Sequence, residues 1–100
     1  MSASSEARRP ADDVAERTVV LPKHLHARPA GQVAQAAARH PETTIDLLAG
    51  TRRANARSVL AVMGLGAVTG DPVRVTATGP DATAVADEIC SILETPETDG

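Results

Sequence analysis

The pattern of apolar and polar residues predicts three β-strands and a fourth, more polar one. Residues 17–22 carry a β-branched apolar run, which is typical of a partly or wholly buried strand. Residues 43–48 and 72–78 alternate, so each stretch gathers one set of side chains on one face. These sets are Thr43, Ile45 and Leu47 in the first stretch, and Val73, Val75 and Ala77 in the second. A short edge strand is expected at residues 51–55, after a turn at residues 49–50.

Apolar residues at helical spacing predict three helices. The first covers residues 29–39 and ends before Pro41, and the second covers residues 58–65 with Ser58 as N-cap and glycines at its end. The third follows residues 79–81. The predicted buried faces are Ala30, Val33, Ala34 and Ala37 in the first helix, and Ala82, Val85, Ala86, Ile89 and Leu93 in the third.

The resulting order, β-α-β-β-α-β-α, predicts one domain of the α+β class. Short strands with one apolar face each fit a mostly antiparallel sheet that is covered on one side by helices. We expect the domain to span residues 17–94. Residues 1–16 are polar without an apolar period, which predicts a disordered N-terminal extension, and residues 95–100 are expected to form a C-terminal tail.

Composition narrows the classes of function. No apolar run approaches a membrane-spanning length and residues 1–13 are polar, so we expect a cytoplasmic protein without membrane insertion. The single cysteine, Cys90, excludes an internal disulfide and a multi-cysteine metal site. Cys90 flanks the apolar face of the last helix, which favours a structural role. Nothing in the sequence calls for a cofactor.

Charge is distributed unevenly along the chain. The net charge is −3, yet residues 17–93 contain eight Lys and Arg against six Asp and Glu. Such a surface favours phosphate and acidic proteins, but it is too weakly basic and too poor in stacking groups for nucleic acid. The positive residues that lie beside the candidate functional segments are Lys23, Arg28, Arg52, Arg53 and Arg57. The last three favour a solvated face, with Arg57 a candidate to hold an acidic partner.

The motif Leu-His-Ala-Arg-Pro-Ala at residues 25–30 carries the clearest chemistry. It places His26 where an extended segment gives way to a helix, and a helix N-terminus attracts anions through unpaired backbone N–H groups. Arg28 adds donors suited to phosphate oxygens, and Pro29 falls in the first turn, where its missing N–H costs nothing. The helix field favours a neutral, nucleophilic imidazole. These features predict that His26 accepts a phosphoryl group.

Two other interpretations of these histidines compete with phosphoryl acceptance. His26 is also consistent with an exposed helix-cap residue that has no chemistry. On a continued strand His24 and His26 would share a face as metal ligands do, but only His40 and scattered acids could complete a site. We therefore predict no metal site.

Two segments together resemble the HPr family of histidine phosphocarriers of the bacterial phosphoenolpyruvate:sugar phosphotransferase system. Residues 25–30 resemble that family's phosphorylation site. Residues 55–66, Asn-Ala-Arg-Ser-Val-Leu-Ala-Val-Met-Gly-Leu-Gly, resemble its second conserved stretch. The resemblance covers residues 17–94 and implies an open-faced β-sandwich, with strand order 1-4-2-3 and three helices on one face.

The resemblance also implies partners and residue roles. Enzyme I, charged by phosphoenolpyruvate, would phosphorylate Nδ1 of His26, and the phosphoryl group would pass to an enzyme IIA of a sugar transporter. Arg28 matches the active-site arginine, and Ser58 matches a serine that HPr kinase/phosphorylase modifies in some bacteria. Residues expected to support the phosphate are Lys23, His24, Ala27 and Pro29; those expected to dock partners are Leu25, Val59, Leu60, Met63 and Leu65. We expect a monomeric carrier rather than an independent catalyst.

Some features leave alternatives open. The family usually has a small polar residue and then glycine ahead of the Leu-His pair, where this chain has Lys23 and His24; these either change the loop shape or add positive charge near the phosphoryl group. Ser58 is equally well explained as a helix cap alone. A carrier for a nitrogen-related or dihydroxyacetone-kinase branch is one rival function. A small α+β regulatory or ligand-binding module is another.

Overall fold

Four strands and three helices follow one another along residues 13–96, the part of the chain that this computed structural model describes. They are β1 (Val14–Val20), α1 (Ala27–Ala38), β2 (Thr44–Ala49), β3 (Arg52–Asn55), α2 (Val59–Gly64), β4 (Pro72–Thr78) and α3 (Ala82–Glu94). The predicted order and the α+β class are confirmed, and β4 has the bounds predicted from the sequence.

The strands form one antiparallel sheet in the order β1-β4-β2-β3, as the resemblance implies. β4 lies between β1 and β2 and pairs with both, with Val73 opposite Val19 and Ala77 opposite Ile45. β3 extends the sheet at the far edge of β2. Because β1 begins the described chain and β4 comes late in it, the pairing at the centre of the sheet joins segments that are far apart in sequence.

The core lies between the sheet and the three helices. Alternate residues of β2 and β4 are buried there, which confirms their predicted inward sets, and β1 adds Ala15 and Val19. The other face of the sheet is mostly polar, apart from the exposed Val14 and Val20, and includes two ion pairs, between Arg74 and Glu16 at 3.2 Å and between Arg53 and Asp46 at 2.9 Å. The largest fully buried side chains are Leu21, Leu47, Ile89, Leu93, Val33, Val62, Val73, Val75, Val85 and Pro29.

The face that α1 buries differs by one residue from the prediction. Ala36 is completely buried, whereas Ala34, expected in the core, is partly exposed. α1 packs against α2 as well as α3, so its buried arc is set by two helices and not by the sheet alone. The face predicted for α3 is confirmed in full, and it also takes in Cys90.

The N-terminal boundary of the domain was predicted too late in the chain. β1 begins at Val14, so residues 14–16, assigned to a disordered extension, belong to the sheet. Ala15 is buried opposite Ala77, and the Gly79 N–H donates to the Asp13 carbonyl at 2.9 Å. Backbone pairing with β4 orders this segment without an apolar run in its sequence. Residues 1–12, and residues 97–100 of the predicted tail, lie outside the described part of the chain.

A close backbone approach locks the turn between β4 and α3. Gly79 has φ +136°, and a Cβ added there would lie 2.7 Å from the Glu42 carbonyl oxygen and 2.9 Å from the Thr43 Cα. The Thr43 hydroxyl donates to the Pro80 carbonyl at 2.7 Å across the same contact. The turn therefore has no room for a side chain at residue 79.

Replacing Gly79 with alanine should lower the free energy of unfolding by about 2–4 kcal/mol, because the new Cβ meets backbone atoms and the φ is unfavourable for an L-residue. Gly31→Ala is the matched control, since Gly31 lies inside α1 with nothing within 4 Å of its Cβ position. It should gain about 0.5–1 kcal/mol. Urea denaturation measures both, and a Gly79→Ala protein as stable as the native chain would contradict the contact.

Glu88 joins the end of α1 to the middle of α3. Its carboxylate contacts Nε2 of His40 at 2.8 Å and also accepts from the Arg39 guanidinium. The hydrogen bond to His40, and then that to Arg39, lower the pKa of Glu88 below its ordinary value of 4.5. The ionised carboxylate therefore stabilises the contact between the two helices.

The lowered pKa of Glu88 determines how the stability of the fold changes with pH. The stabilisation is fully present above about pH 4.5 and is lost as pH falls through the lower folded-state pKa. Glu88→Gln should therefore make the free energy of unfolding less dependent on pH below 4.5. Glu94→Gln on the same helix, where no ion pair with a described residue is present, is the control. The same slope in the Glu88→Gln and native proteins would rule out this role.

Candidate active site

His26 is the N-cap residue of α1, as the sequence predicts. Its backbone is extended (φ −84°, ψ −171°), and its carbonyl accepts the first helical hydrogen bond, from the Ala30 N–H at 3.1 Å. The residue is exposed, and its side chain makes no capping hydrogen bond. The imidazole therefore stands at the positive end of a 12-residue helix and is accessible to another protein.

The first turn of α1 provides donors for an anion. The Ala27 and Arg28 N–H groups come before the first residue that can bond within the helix, and Pro29 has no N–H. The Arg28 side chain is exposed and makes no hydrogen bond or ion pair within residues 13–96. The first turn has no acidic residue. These features leave positive potential beside His26 that nothing nearby in the described structure neutralises.

The extended segment before α1 alternates between buried and exposed residues. Leu21, Lys23 and Leu25 point inward, whereas His24 and His26 point outward. Residues 67–71 hold the segment through three backbone hydrogen bonds: Leu21 N–H to Asp71, Leu25 N–H to Ala67, and Gly70 N–H to Leu21, all at 2.8–3.1 Å. Side chains alternate along this extended segment as they do in a strand, and its inner side packs on the domain. Both histidines therefore lie on the same exposed surface.

His24 lies directly against His26. The two rings meet edge to face, with 5.3 Å between their centroids and an angle of 84° between their planes. Nδ1 of His24 accepts the Thr69 N–H at 3.0 Å. Both rings line a shallow cavity of about 220 Å³, together with Leu25, Met63, Gly66, Ala67 and Val68. His24, expected to support the phosphate, is thus adjacent to His26.

Lys23, expected to support the phosphate, lies away from His26. Its side chain is only 7% exposed, and Nζ donates to the Ile92 carbonyl at 3.0 Å, in the last turn of α3. Because side chains alternate along this extended segment, Lys23 points inward, away from the exposed surface that His24 and His26 share. The C-terminal carbonyls of a helix attract a cation, so Lys23 caps α3 and its ammonium is already engaged.

The predicted docking residues divide between surface and core. Leu60 is 81% exposed and Met63 is 39% exposed, while Val59 is half-buried. Leu25 and Leu65 are buried, so they contribute packing and little surface, contrary to expectation. A helix of six residues has room for one buried face, and here Val62 and the C-cap Leu65 occupy it.

Val68 completes the exposed apolar surface and was missed by the sequence analysis. It is 44% exposed and lines the same cavity as Met63 and the two histidines. Val68 lies in the loop after α2, where no periodic pattern marks a side chain as buried or exposed. We refer to Leu60, Met63 and Val68 together as the apolar patch.

Ser58 is the N-cap of α2, as predicted. Its Oγ accepts the Ala61 N–H at 3.1 Å, and the residue is half-buried. The neighbouring arginines also bind the fold itself: Arg52 donates to the Gly64 carbonyl at the end of α2, and Arg57 donates to the His40 carbonyl at 2.8 Å. The side chain of Arg57, a candidate to hold a partner, is thus engaged within the domain.

Neither a metal centre nor a membrane span emerges from residues 13–96. Within that range no three His, Cys, Asp or Glu side chains come together as metal ligands would. No helix there is both long and apolar enough to cross a bilayer.

Comparisons with known proteins agree with this geometry. The family model described as "PTS HPr component phosphorylation site" matches residues 14–95. The chain is 38% identical over 65 residues to the phosphocarrier protein HPr of Treponema pallidum, covering 65% of this chain and 73% of that protein. It is 36% identical over 88 residues to the multiphosphoryl transfer protein of Xanthomonas campestris, covering 85% of this chain. The chain spans only 10% of the length of the Xanthomonas protein.

Solved structures show the same fold. The phosphocarrier protein HPr of Bacillus anthracis superposes with a TM-score of 0.74 at 26% identity, over 83% of this chain and all of that one. A mycoplasma histidine-containing phosphocarrier protein gives a TM-score of 0.72 at 28% identity, covering 78% of this chain and 90% of that chain. With the matched family model, the histidine at a helix start and the strand order 1-4-2-3, the chain belongs to the HPr phosphocarrier family of the phosphotransferase system.

Proposed function

We propose that this chain accepts a phosphoryl group on Nδ1 of His26 from phosphorylated enzyme I and passes it to an enzyme IIA. The lone pair of Nδ1 attacks phosphorus, the new N–P bond forms, and the bond between phosphorus and the donor atom of enzyme I breaks with its electrons returning to the donor. Transfer to enzyme IIA runs the same exchange with a new acceptor. The exposed His26 at the N-terminus of α1 is the observation that carries this proposal.

The hydrogen-bond donors around His26 suit a carrier that must both bind and release a phosphoryl group. An anion at a helix N-terminus gains about 0.3–1 kcal/mol, and each hydrogen bond to a charged group adds about 1.5–3 kcal/mol. The Ala27 and Arg28 N–H groups and the Arg28 guanidinium therefore supply a few kcal/mol in total. That is enough to stabilise a phosphohistidine without trapping it.

The apolar patch supports docking beside the transfer site. Met63 and Val68 share a cavity with His26, and Leu60 extends the patch along α2. A partner whose phosphorylated residue reached His26 would cover this patch, excluding water from the transfer. Interfaces of such transient encounters are small, on the order of 1,200 Å² or less. Enzyme I and enzyme IIA would bind the apolar patch one after the other. The carrier would act as a cytoplasmic monomer.

Which branch of the phosphotransferase system this chain serves can be tested directly. Sugar-system, nitrogen-related and dihydroxyacetone-kinase enzyme I proteins can each be supplied with phosphoenolpyruvate and this chain. The branch is assigned by the donor that phosphorylates the chain fastest.

His26→Ala should abolish phosphorylation, because it removes the imidazole at the N-cap of α1, beside the free N–H groups of the first turn. The native chain, incubated with enzyme I and phosphoenolpyruvate, should gain one acid-labile phosphoryl group by intact-mass measurement. His40→Gln is the matched control: His40 lies at the far end of α1 and contacts Glu88, and a glutamine amide can keep that contact. An unchanged yield in His26→Ala would refute the site.

We propose in addition that Ser58 is a regulatory phosphorylation site for an HPr kinase/phosphorylase. The residue caps α2 immediately before the apolar patch, with Leu60 two residues further along. A phosphate there would be accommodated at the helix N-terminus, but it adds about −1.5 to −2 charge beside the docking surface. Docking of an acidic enzyme I would weaken while the fold remains.

Ser58→Asp should slow phosphorylation of His26 by about three- to tenfold, through a rise in KM, because a charge at an interface rim acts mainly on association. Ser58→Asn is the control, since asparagine caps a helix as well as aspartate does but carries no charge. Initial rates at several protein concentrations measure the effect. Equal rates for the two variants would show that Ser58 is a cap and nothing more.

A further inference from the structure

We infer that His24 is a positioning residue for phosphoryl transfer at His26. The inference rests on the proposed function and deepens it. His24 occupies a place where the family usually carries glycine, so its role concerns this chain and is not supplied by the resemblance. Three observations support it: the way the His24 ring is held, its contact with His26, and the shortage of other restraints on His26.

The His24 ring is fixed by a well-anchored turn. Nδ1 accepts the Thr69 backbone N–H at 3.0 Å and lies 3.2 Å from the Thr69 hydroxyl. A backbone N–H can only donate, so Nδ1 carries a lone pair and the proton of the neutral ring is on Nε2. Asp71 closes the turn through Oδ2, which accepts the Val68 N–H at 3.0 Å. Gly70 and Asp71 of the same turn also form backbone hydrogen bonds with Leu21. The His24 ring is therefore bound to a turn that is itself held by the domain.

The His24 ring restrains the His26 ring. Edge-to-face packing at a centroid distance of 5.3 Å is within the favourable range for aromatic pairs, where the positive edge of one ring faces the negative face of the other. Rotation of the His26 side chain away from this pose breaks the contact. The pair therefore limits the directions in which Nδ1 of His26 can point.

Few other contacts hold the His26 ring. It is exposed, makes no capping hydrogen bond, and has no hydrogen bond to another residue of the described range. In-line attack on phosphorus requires an oriented nucleophile, and a loosely held ring loses rate through orientation without losing affinity for the partner. A positioning role therefore predicts a change in kcat with KM preserved.

A merely structural role for His24 can be separated from positioning. If His24 only fixed the turn at residues 68–71, any side chain that accepts the Thr69 N–H would replace it. His24→Asn does so, because Oδ1 of asparagine takes the place of Nδ1 while the ring is removed. His24→Gly removes both the acceptor and the ring and restores the usual family residue, which provides a second ring-free protein.

The experiment measures phosphorylation of the native, His24→Asn and His24→Gly chains by enzyme I and phosphoenolpyruvate over a range of carrier concentrations. We expect kcat to fall by about 2- to 13-fold in both variants, the fold-change that corresponds to one edge-to-face contact, with KM unchanged. The unfolding midpoint of His24→Asn should match that of the native chain. Ring ¹³C relaxation of His26 should show faster motion in both variants.

The outcomes separate this inference from the proposed function. If the native chain takes up no phosphoryl group, the proposed function fails. If it is phosphorylated at His26 and both variants keep the native kcat, only the positioning role is overturned. A rise in KM with kcat unchanged would make His24 a docking residue, and phosphate on His24 in a His26→Ala chain would make it an acceptor; either result also overturns positioning.

Discussion

The site depends on the backbone hydrogen bonds that hold residues 21–25 against residues 67–71. They keep the segment extended, so that side chains alternate between core and surface as in a strand. Leu25 then anchors the segment by burial, and His26 emerges at the point where α1 begins. His26, the proposed phosphoryl acceptor, is exposed because its neighbour Leu25 is buried. If residues 21–25 shifted by one position against residues 67–71, Leu25 would become exposed and His26 buried.

The helices distribute positive charge in two contrasting ways. Lys23 and Arg52 donate to carbonyls in the last turns of α3 and α2, where the helix dipole favours cations. Arg28 lies in the first turn of α1, where the dipole disfavours a cation in the absence of an anion. The fold thus uses two cations for stability and keeps one where only an anionic ligand makes it favourable. Such a residue is better explained by binding than by folding.

A core without aromatic residues requires close approach of the backbones. Alanines on α1 and α3 are fully buried, which lets the helices pack closely against the sheet and each other. Gly79 approaches the backbone of Glu42 and Thr43, just before β2, at a point where even a methyl group has no room. The buried alanines lie along α1, the helix whose N-cap is His26, so this packing helps to place His26.

Local sequence determined the elements, the cap at Ser58 and the place of His26 at a helix start, because period, caps and turn residues act over a few positions. It could not place the start of β1, whose residues 14–16 are ordered by pairing with a strand far along the chain. Nor could it show that Lys23 turns inward to α3, that Leu25 and Leu65 are buried, or that Val68 joins the apolar patch. Those outcomes depend on which distant backbone or helix end each side chain meets, and only the tertiary structure brings them together.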